Sequence, residues 1–360
     1  MPSKEEAELW KKQLVENAEK KIIELTDSDQ FKNYLTTLSK FHLYSINNIN
    51  LIYSQNPDAT HVAGFKQWGT DFNRKVNKGE KAIRIAAPII KKLSEEEKIK
   101  LKTTDERAIV GYRYIPVFDV SQTSGDPLPS ARDFVKENLS EVENVDVLYK
   151  SLKNYINQNT DIKVSEEVLS DFEVKGFFRP STNQIIMNES VDNITFKLKT
   201  LYHEFAHSQL HGLNSEFIDR PTGYKETQAE AVAYIAMQNV GIDTSEYSLG
   251  YVATWAKDKT VIQEALSEIH KVSNKTIDMT NHLIQELGLD QNLATKYKSL
   301  QKEATKNNSP ELNKKIKDTR EKISQNTQKE LNDFAKENPT LKQPKIENDE
   351  QELSLSLIHI

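Results

Sequence analysis

The chain of 360 residues contains no cysteine. A disulfide framework is therefore excluded, and a bound metal must draw its ligands from His, Asp or Glu. Long apolar runs are also missing. No stretch of about 18 apolar residues occurs, which excludes an ordinary membrane-spanning helix. The opening segment, MPSKEEAELWKKQLVENAEK, is charged throughout and lacks the apolar stretch of a signal peptide. The expected location is therefore cytoplasmic, with no membrane partner. A surplus of positive charge is lacking as well. The formal net charge is −6, so a surface for polyanions would have to be local.

Hydrophobic residues make up 37% of the chain and charged residues 28%, enough for cores in part of it. The length predicts two domains and a tail. Trp10, Leu14, Ala18, Ile22 and Leu25 recur at helical spacing, and Phe31, Tyr34, Leu35 and Leu38 mark a second helix starting at Ser28. A third helix is expected over about 42–55, ending before Pro57. The pattern then turns β-rich in KAIRIAAPII and AIVGYRYIPVFDV, with the charged insert KKLSEEEKIKLKTTDER between them as an exposed excursion.

The expected boundaries are a first domain over 1–128, a linker over 129–143, a second domain over 144–285 and a charged helical or disordered tail over 286–360. In the second domain, a helix at 144–157 precedes GFFRPSTNQIIMN, which reads as a hairpin turning through Pro180–Asn183. Helices are expected at about 194–211, 224–240 and 246–270, the second stopped by Gly241. The fold class is α+β. The final LSLIHI reads as translated sequencing-library transposon end rather than as a continuation of the tail, and His359 is given no weight.

The stretch LYHEFAHSQLHG carries the chemistry. His203 and His207 are four apart, so a helix places both imidazoles on one face within reach of one ion. Glu204 beside them can take a proton from water. A Gly and a third His at three and six residues past His207 would extend the motif, but Leu210 and Leu213 stand there. His211 shares the helix face at an awkward distance for a ligand. The third ligand is expected in YKETQAEAVAYIAMQ, where Glu226 and Glu230 are one helical turn apart. Glu226 is assigned to the metal and Glu230 to a hydrogen bond from a ligand His Nδ1, with the exchange of roles as the alternative. Tyr251 can stabilise an oxyanion or simply pack in a core. The GFFR strand can pair with an extended peptide or be an ordinary hairpin strand. The implied cofactor is zinc, bound less well below about pH 6 because imidazole must be neutral.

From Thr60 to Lys92 there are eight cations, Lys66, Arg74, Lys75, Lys78, Lys81, Arg84, Lys91 and Lys92, against the anions Asp71 and Glu80. Phe65, Trp68 and Phe72 are interleaved with them, Tyr112 and Tyr114 follow, and Asn47 and Asn48 lie upstream. Cations that track phosphates and aromatic faces that stack bases suit a single strand of DNA. The same aromatics, Trp68 above all, can instead be core.

The segments FHLYSINNINLI, QNPDATHVAGFKQW, RKVNKGEKAIRI and VFDVSQTSG resemble the N-terminal single-stranded-DNA-binding domain of ArdC-type antirestriction proteins, which also occurs on plasmid primases of the TraC type. LYHEFAHSQLHG, YKETQAEAVAYIA and GYVATWAKD resemble the zincin metallopeptidase domain of that family, itself similar to ImmA/IrrE peptidases. The resemblance implies zinc on His203 and His207, a general base at Glu204 and a third ligand in the Glu226/Glu230 region. It implies a mobile-element protein that binds single-stranded DNA and acts on a protein substrate of unknown identity. A site without hydrolysis and a repressor-cleaving protease are the alternatives. A fragment ending near Asp126 is expected to bind single-stranded DNA without zinc.

Overall fold

The computed structural model describes residues 4–23, 28–128, 135–136, 138–171, 173–244, 259–291, 301, 309–310 and 312–322. Met1–Asp290 form one compact unit and Gln291–Ile360 another. In the second unit, residues 312–322 are helical.

The first unit opens with helices α1 (Lys4–Ile23), α2 (Ser28–Lys40) and α3 (Ile46–Gln55). Ser45 caps α3 by accepting from the backbone N–H of Asn48, a role its short hydroxyl suits. Strands β1 (Val62–Gly64), β3 (Ile83–Lys92) and β4 (Arg107–Asp119) form an antiparallel sheet in the order β1-β4-β3. Helix α4 (Phe65–Thr70) follows β1, and β2 (Arg74–Val76) pairs with β5 (Thr123–Gly125). The charged insert between β3 and β4 is indeed exposed. It forms the short helix α5 (Glu95–Leu101), which is started by reciprocal capping between Ser94 and Glu97 and buries none of its own residues.

An edge strand needs a cover for its free backbone groups. For β3 that cover is α3. The Asn48 side chain accepts from the Ala86 N–H at 2.8 Å and donates to the Ala86 carbonyl at 3.0 Å. Gln55, two turns later, does the same at Arg84, with 2.9 and 3.0 Å. Two amide side chains thus imitate a neighbouring strand.

The metal-motif region begins with α6 (Val142–Asn159) and β6 (Lys163–Glu167). The expected hairpin is present as β7 (Gly176–Arg179) and β8 (Gln184–Asn188), and β6 adds to β8 in parallel, giving the order β6-β8-β7. Then come α7 (Ile194–Leu210), α8 (Thr222–Asn239) and α9 (Lys259–Leu287). Helix α8 is apolar nearly all round, with Ala229, Ala231, Val232, Ala233, Ile235, Ala236 and Met237 buried, as a central helix must be. It stops where Gly241 takes φ +76°, with Gly241 N–H donating to the Gln238 carbonyl and Ile242 N–H to that of Met237. The expected helix start at 246 lies outside the described residues, and the described helix runs past the expected end at 270 to Leu287.

Phe31, Tyr34, Leu35 and Leu38 of α2 share one buried cluster with Ala231, Val232 and Ile235 of α8 and Ile269 of α9. The segments on either side of the expected boundary at 128 therefore hold a core in common. A second cluster joins α6, β6 and β8 to α7, and a small third one surrounds Trp68.

Candidate metal centre

Leu198, Leu201, Tyr202 and Phe205 are completely buried on α7. Their packing fixes the rotation of the helix, so that His203 and His207, one turn apart, meet Glu226 of α8. His203 Nε2 lies 3.1 Å from His207 Nε2 and 3.2 Å from Glu226 Oε2, and His207 Nε2 lies 3.4 Å from Glu226 Oε1. These three residues can hold one metal ion. Tetrahedral bonds of about 2.0–2.1 Å separate ligand atoms by about 3.3 Å. Larger ions reach similar spacings in octahedral geometry, so the donor set is more selective than the distances. Two imidazoles and one carboxylate suit a first-row transition metal better than calcium or magnesium, which prefer oxygen.

Glu230, the second carboxylate, lies beside His203 rather than among the three converging groups. Its Oε2 lies 3.2 Å from His203 Nδ1, and its Oε1 accepts from Lys199 Nζ at 2.6 Å. Burial opposes its charge, but His203 and Lys199 hold its carboxyl below the usual range. Hydrogen bonds from His203 and His207 hold Glu226 well below that range. Burial disfavours the His203 cation, yet Glu226 and Glu230 outweigh this and push its pKa up to about 9. The pH at which a proton competes with the metal therefore lies higher than the sequence expectation of about 6. Two carboxylates converging on one imidazole are a tertiary feature that an unperturbed histidine value does not contain.

Glu204 is buried, 7% exposed, and the backbone of Phe178 in β7 favours its charged form. Burial pushes its carboxyl up, against the pull of His203 and His207. Strand β7 thus lies beside the motif helix. His211, given no role by the sequence, is buried at the C-cap of α7. Its Nδ1 lies 2.9 Å from His207 Nδ1 and its Nε2 lies 3.1 Å from Gln228 Oε1. Burial holds its pKa down to about 4, so the ring is neutral at neutral pH. Tyr251 lies outside the described residues.

The basic segment is divided rather than gathered. Trp68 is core, not a base platform. It is 1% exposed and its Nε1–H donates to the Phe118 carbonyl at 2.9 Å. Arg74 is a structural staple, because its guanidinium donates to Thr123 Oγ1, the Thr123 carbonyl and the Gly125 and Asp126 carbonyls across the β2–β5 pair. Asn48 is committed to the edge of β3. Asn47, Lys66, Lys75, Lys78 and Lys81 remain exposed, and Arg84 is half-buried. Phe65 and Phe72 are also exposed, and both rest on buried aromatics, Phe65 on Phe118 and Phe72 on Trp68, with centroids 6.0 and 5.1 Å apart. Trp10 packs edge-on to Tyr114 at 5.8 Å, near in the chain to the exposed Tyr112 of the same strand. Among the described residues no helix is long and apolar enough to cross a membrane.

Comparison with known proteins places the N-terminal part. Crystal structures of the antirestriction ArdC protein from R388 plasmid, metal-free and Mn(II)-bound, are similar with TM-scores of 0.42 and 0.39 and identities of 17% and 16%. They cover 66% and 69% of this chain and 86% and 97% of their own. An uncharacterised protein of Bacillus anthracis is 29% identical over 283 residues, covering 69% of this chain. The chain spans about half the length of that curated relative, 47%. The sequence model of the N-terminal domain of anti-restriction factor ArdC matches residues 6–118. The similarity of the chain to ArdC proteins is carried by those N-terminal residues.

Proposed function

We propose that the protein is an ArdC-like antirestriction factor, that its metal is zinc, and that it cleaves a protein substrate. The convergence of His203, His207 and Glu226 beside Glu204 carries the metal part of this reading. When bound, zinc supplies a Lewis acid. The residues of the chain do the rest. His203 and His207 bind through Nε2, and Glu226 through its carboxylate. The Glu204 carboxylate takes a proton from the attacking water and passes it to the leaving amine. Strand β7, at the edge of the order β6-β8-β7, offers a place for an extended peptide beside that carboxylate.

The N-terminal part, 1–128, binds single-stranded DNA in this reading. Lys66, Lys75, Lys78 and Lys81 meet phosphates, and Phe65 and Phe72 offer faces to bases, with Trp68 as their support.

The test is incubation of the zinc-loaded protein and its Glu204→Gln variant with a cell-derived peptide library, reading new termini by mass spectrometry. Cleavage by the wild type alone supports the reading. Equal cleavage by both, or by neither, removes the peptidase assignment, and metal analysis of the same samples shows whether zinc was retained.

A further inference from the structure

Zinc can bind His207 only through a ring nitrogen that carries a lone pair. In a neutral imidazole one nitrogen has the proton and the other has the lone pair. The tautomer of His207 therefore decides whether Nε2, the atom that faces His203 and Glu226, is available. Whatever contacts Nδ1 makes that choice.

The two ligand histidines have different contacts there. His203 Nδ1 meets Glu230, a carboxylate that can only accept. Such a partner requires a proton on His203 Nδ1 and frees Nε2. His207 Nδ1 meets no carboxylate. It lies 2.9 Å from Nδ1 of His211, a ring that can donate or accept. On its far side, His211 Nε2 lies 3.1 Å from Gln228 Oε1, and Gln228 is completely buried. If the Gln228 oxygen faces His211, the polarity of the chain follows. His211 Nε2–H donates to Gln228, His211 Nδ1 keeps its lone pair, and His207 Nδ1–H donates to it. His207 Nε2 is then free for the metal. With the Gln228 amide reversed, every proton shifts and His207 Nε2 is blocked.

We propose that His211 and Gln228 are positioning residues that set the tautomer of His207 and so select the metal-binding state of the site. This rests on the metal reading above. Neither residue touches the ion. Their role is to give a neutral route to the result that Glu230 gives His203 with a charge.

Zinc affinity, measured by competition with a chromogenic chelator in the full chain, tests the proposal. Asn places an amide oxygen near the position of a histidine Nδ1, so His211→Asn should stay within about threefold of wild type. Phe fills the ring volume but accepts nothing, so His211→Phe should weaken zinc about ten- to a hundred-fold. A packing role predicts the reverse order, with Phe tolerated and Asn damaging. Gln228→Met removes the outer partner at similar volume and should also weaken zinc, and it serves if the Phe variant does not fold. Long-range proton–nitrogen spectra of the zinc-loaded wild type should show His211 as the Nε2–H tautomer. A proton on His211 Nδ1, or unchanged zinc affinity in both His211→Phe and Gln228→Met, overturns the proposal. A wild type that binds no zinc removes the metal reading itself, and the relay with it.

Discussion

The metal-motif region and the basic N-terminal region were both marked by clusters of chemically suitable residues, yet the structure treats them differently. His203, His207 and Glu226 converge within hydrogen-bond distance, and Glu230 meets His203. The basic segment is spread over α4, β2, the turn before β3 and β3 itself. Two of its members, Trp68 and Arg74, and the upstream Asn48 spend their polar or aromatic groups on the fold. A helix converts a spacing of four into a shared face by local geometry alone. In a small sheet of short strands, the neighbours of a side chain depend on pairing that no local rule supplies. Residue type plus helical period is therefore strong evidence for a site, whereas residue type alone is weak.

The comparison can be broken most severely at the ligands. His203→Ala and His207→Ala should each abolish stoichiometric zinc in metal analysis of the purified protein, while thermal unfolding of the metal-free chain stays cooperative. Full zinc occupancy in either variant would mean that the convergence is not a metal site.

Trp68 and Phe65 sharpen the other half. Trp68→Ala empties a buried position and should cost about 3–5 kcal/mol in denaturant unfolding. Phe65, 59% exposed, should cost within about 0.5 kcal/mol of stability as Phe65→Ala. The same change should weaken single-stranded oligonucleotide binding by about 1–3 kcal/mol in an anisotropy titration if the ring stacks on a base. A stable Trp68→Ala protein that loses DNA would restore the tryptophan as a platform.

Glu230→Ala should lower zinc affinity about ten- to a hundred-fold, less than Glu226→Ala, because it removes a support of His203 rather than a ligand. The opposite order would exchange the two carboxylates.

The last effect is in pH. Zinc must displace the proton of His203, whose pKa is pushed up to about 9 by Glu226 and Glu230 against burial. Apparent zinc affinity should rise by up to about tenfold per pH unit toward 9. Stability of the metal-free protein should move the other way. The His203 contribution is complete below the ordinary value of 6.5 and fades as pH rises through about 9. Titrations and unfolding curves at pH values from about 6 to 9 read both slopes. Affinity that levels off near pH 6.5 would remove the carboxylate effect on His203.

Much of the fold was legible where local signals agree. The β7–β8 hairpin follows from its turn residues, and the end of α8 follows from Gly241. Strand β6 was not legible, because KVSEE carries too little apolar alternation and exists by pairing with β8. Nor were the amides of Asn48 and Gln55 legible as a cover for β3, since each needs a strand brought from about thirty residues or more away. The shared cluster of α2 with α8 and α9 likewise depends on contacts across roughly two hundred residues. His211 carried its signal in its spacing of four from His207, but it was weighed only as an awkwardly placed ligand and not as a partner for Nδ1.

X-ray absorption of the zinc-loaded full chain tests the central claim most directly. The account predicts two imidazole nitrogens and carboxylate oxygen at about 2.0–2.2 Å, with one imidazole contribution lost in His203→Ala. A shell of oxygen alone, or a spectrum unchanged by His203→Ala, would contradict it.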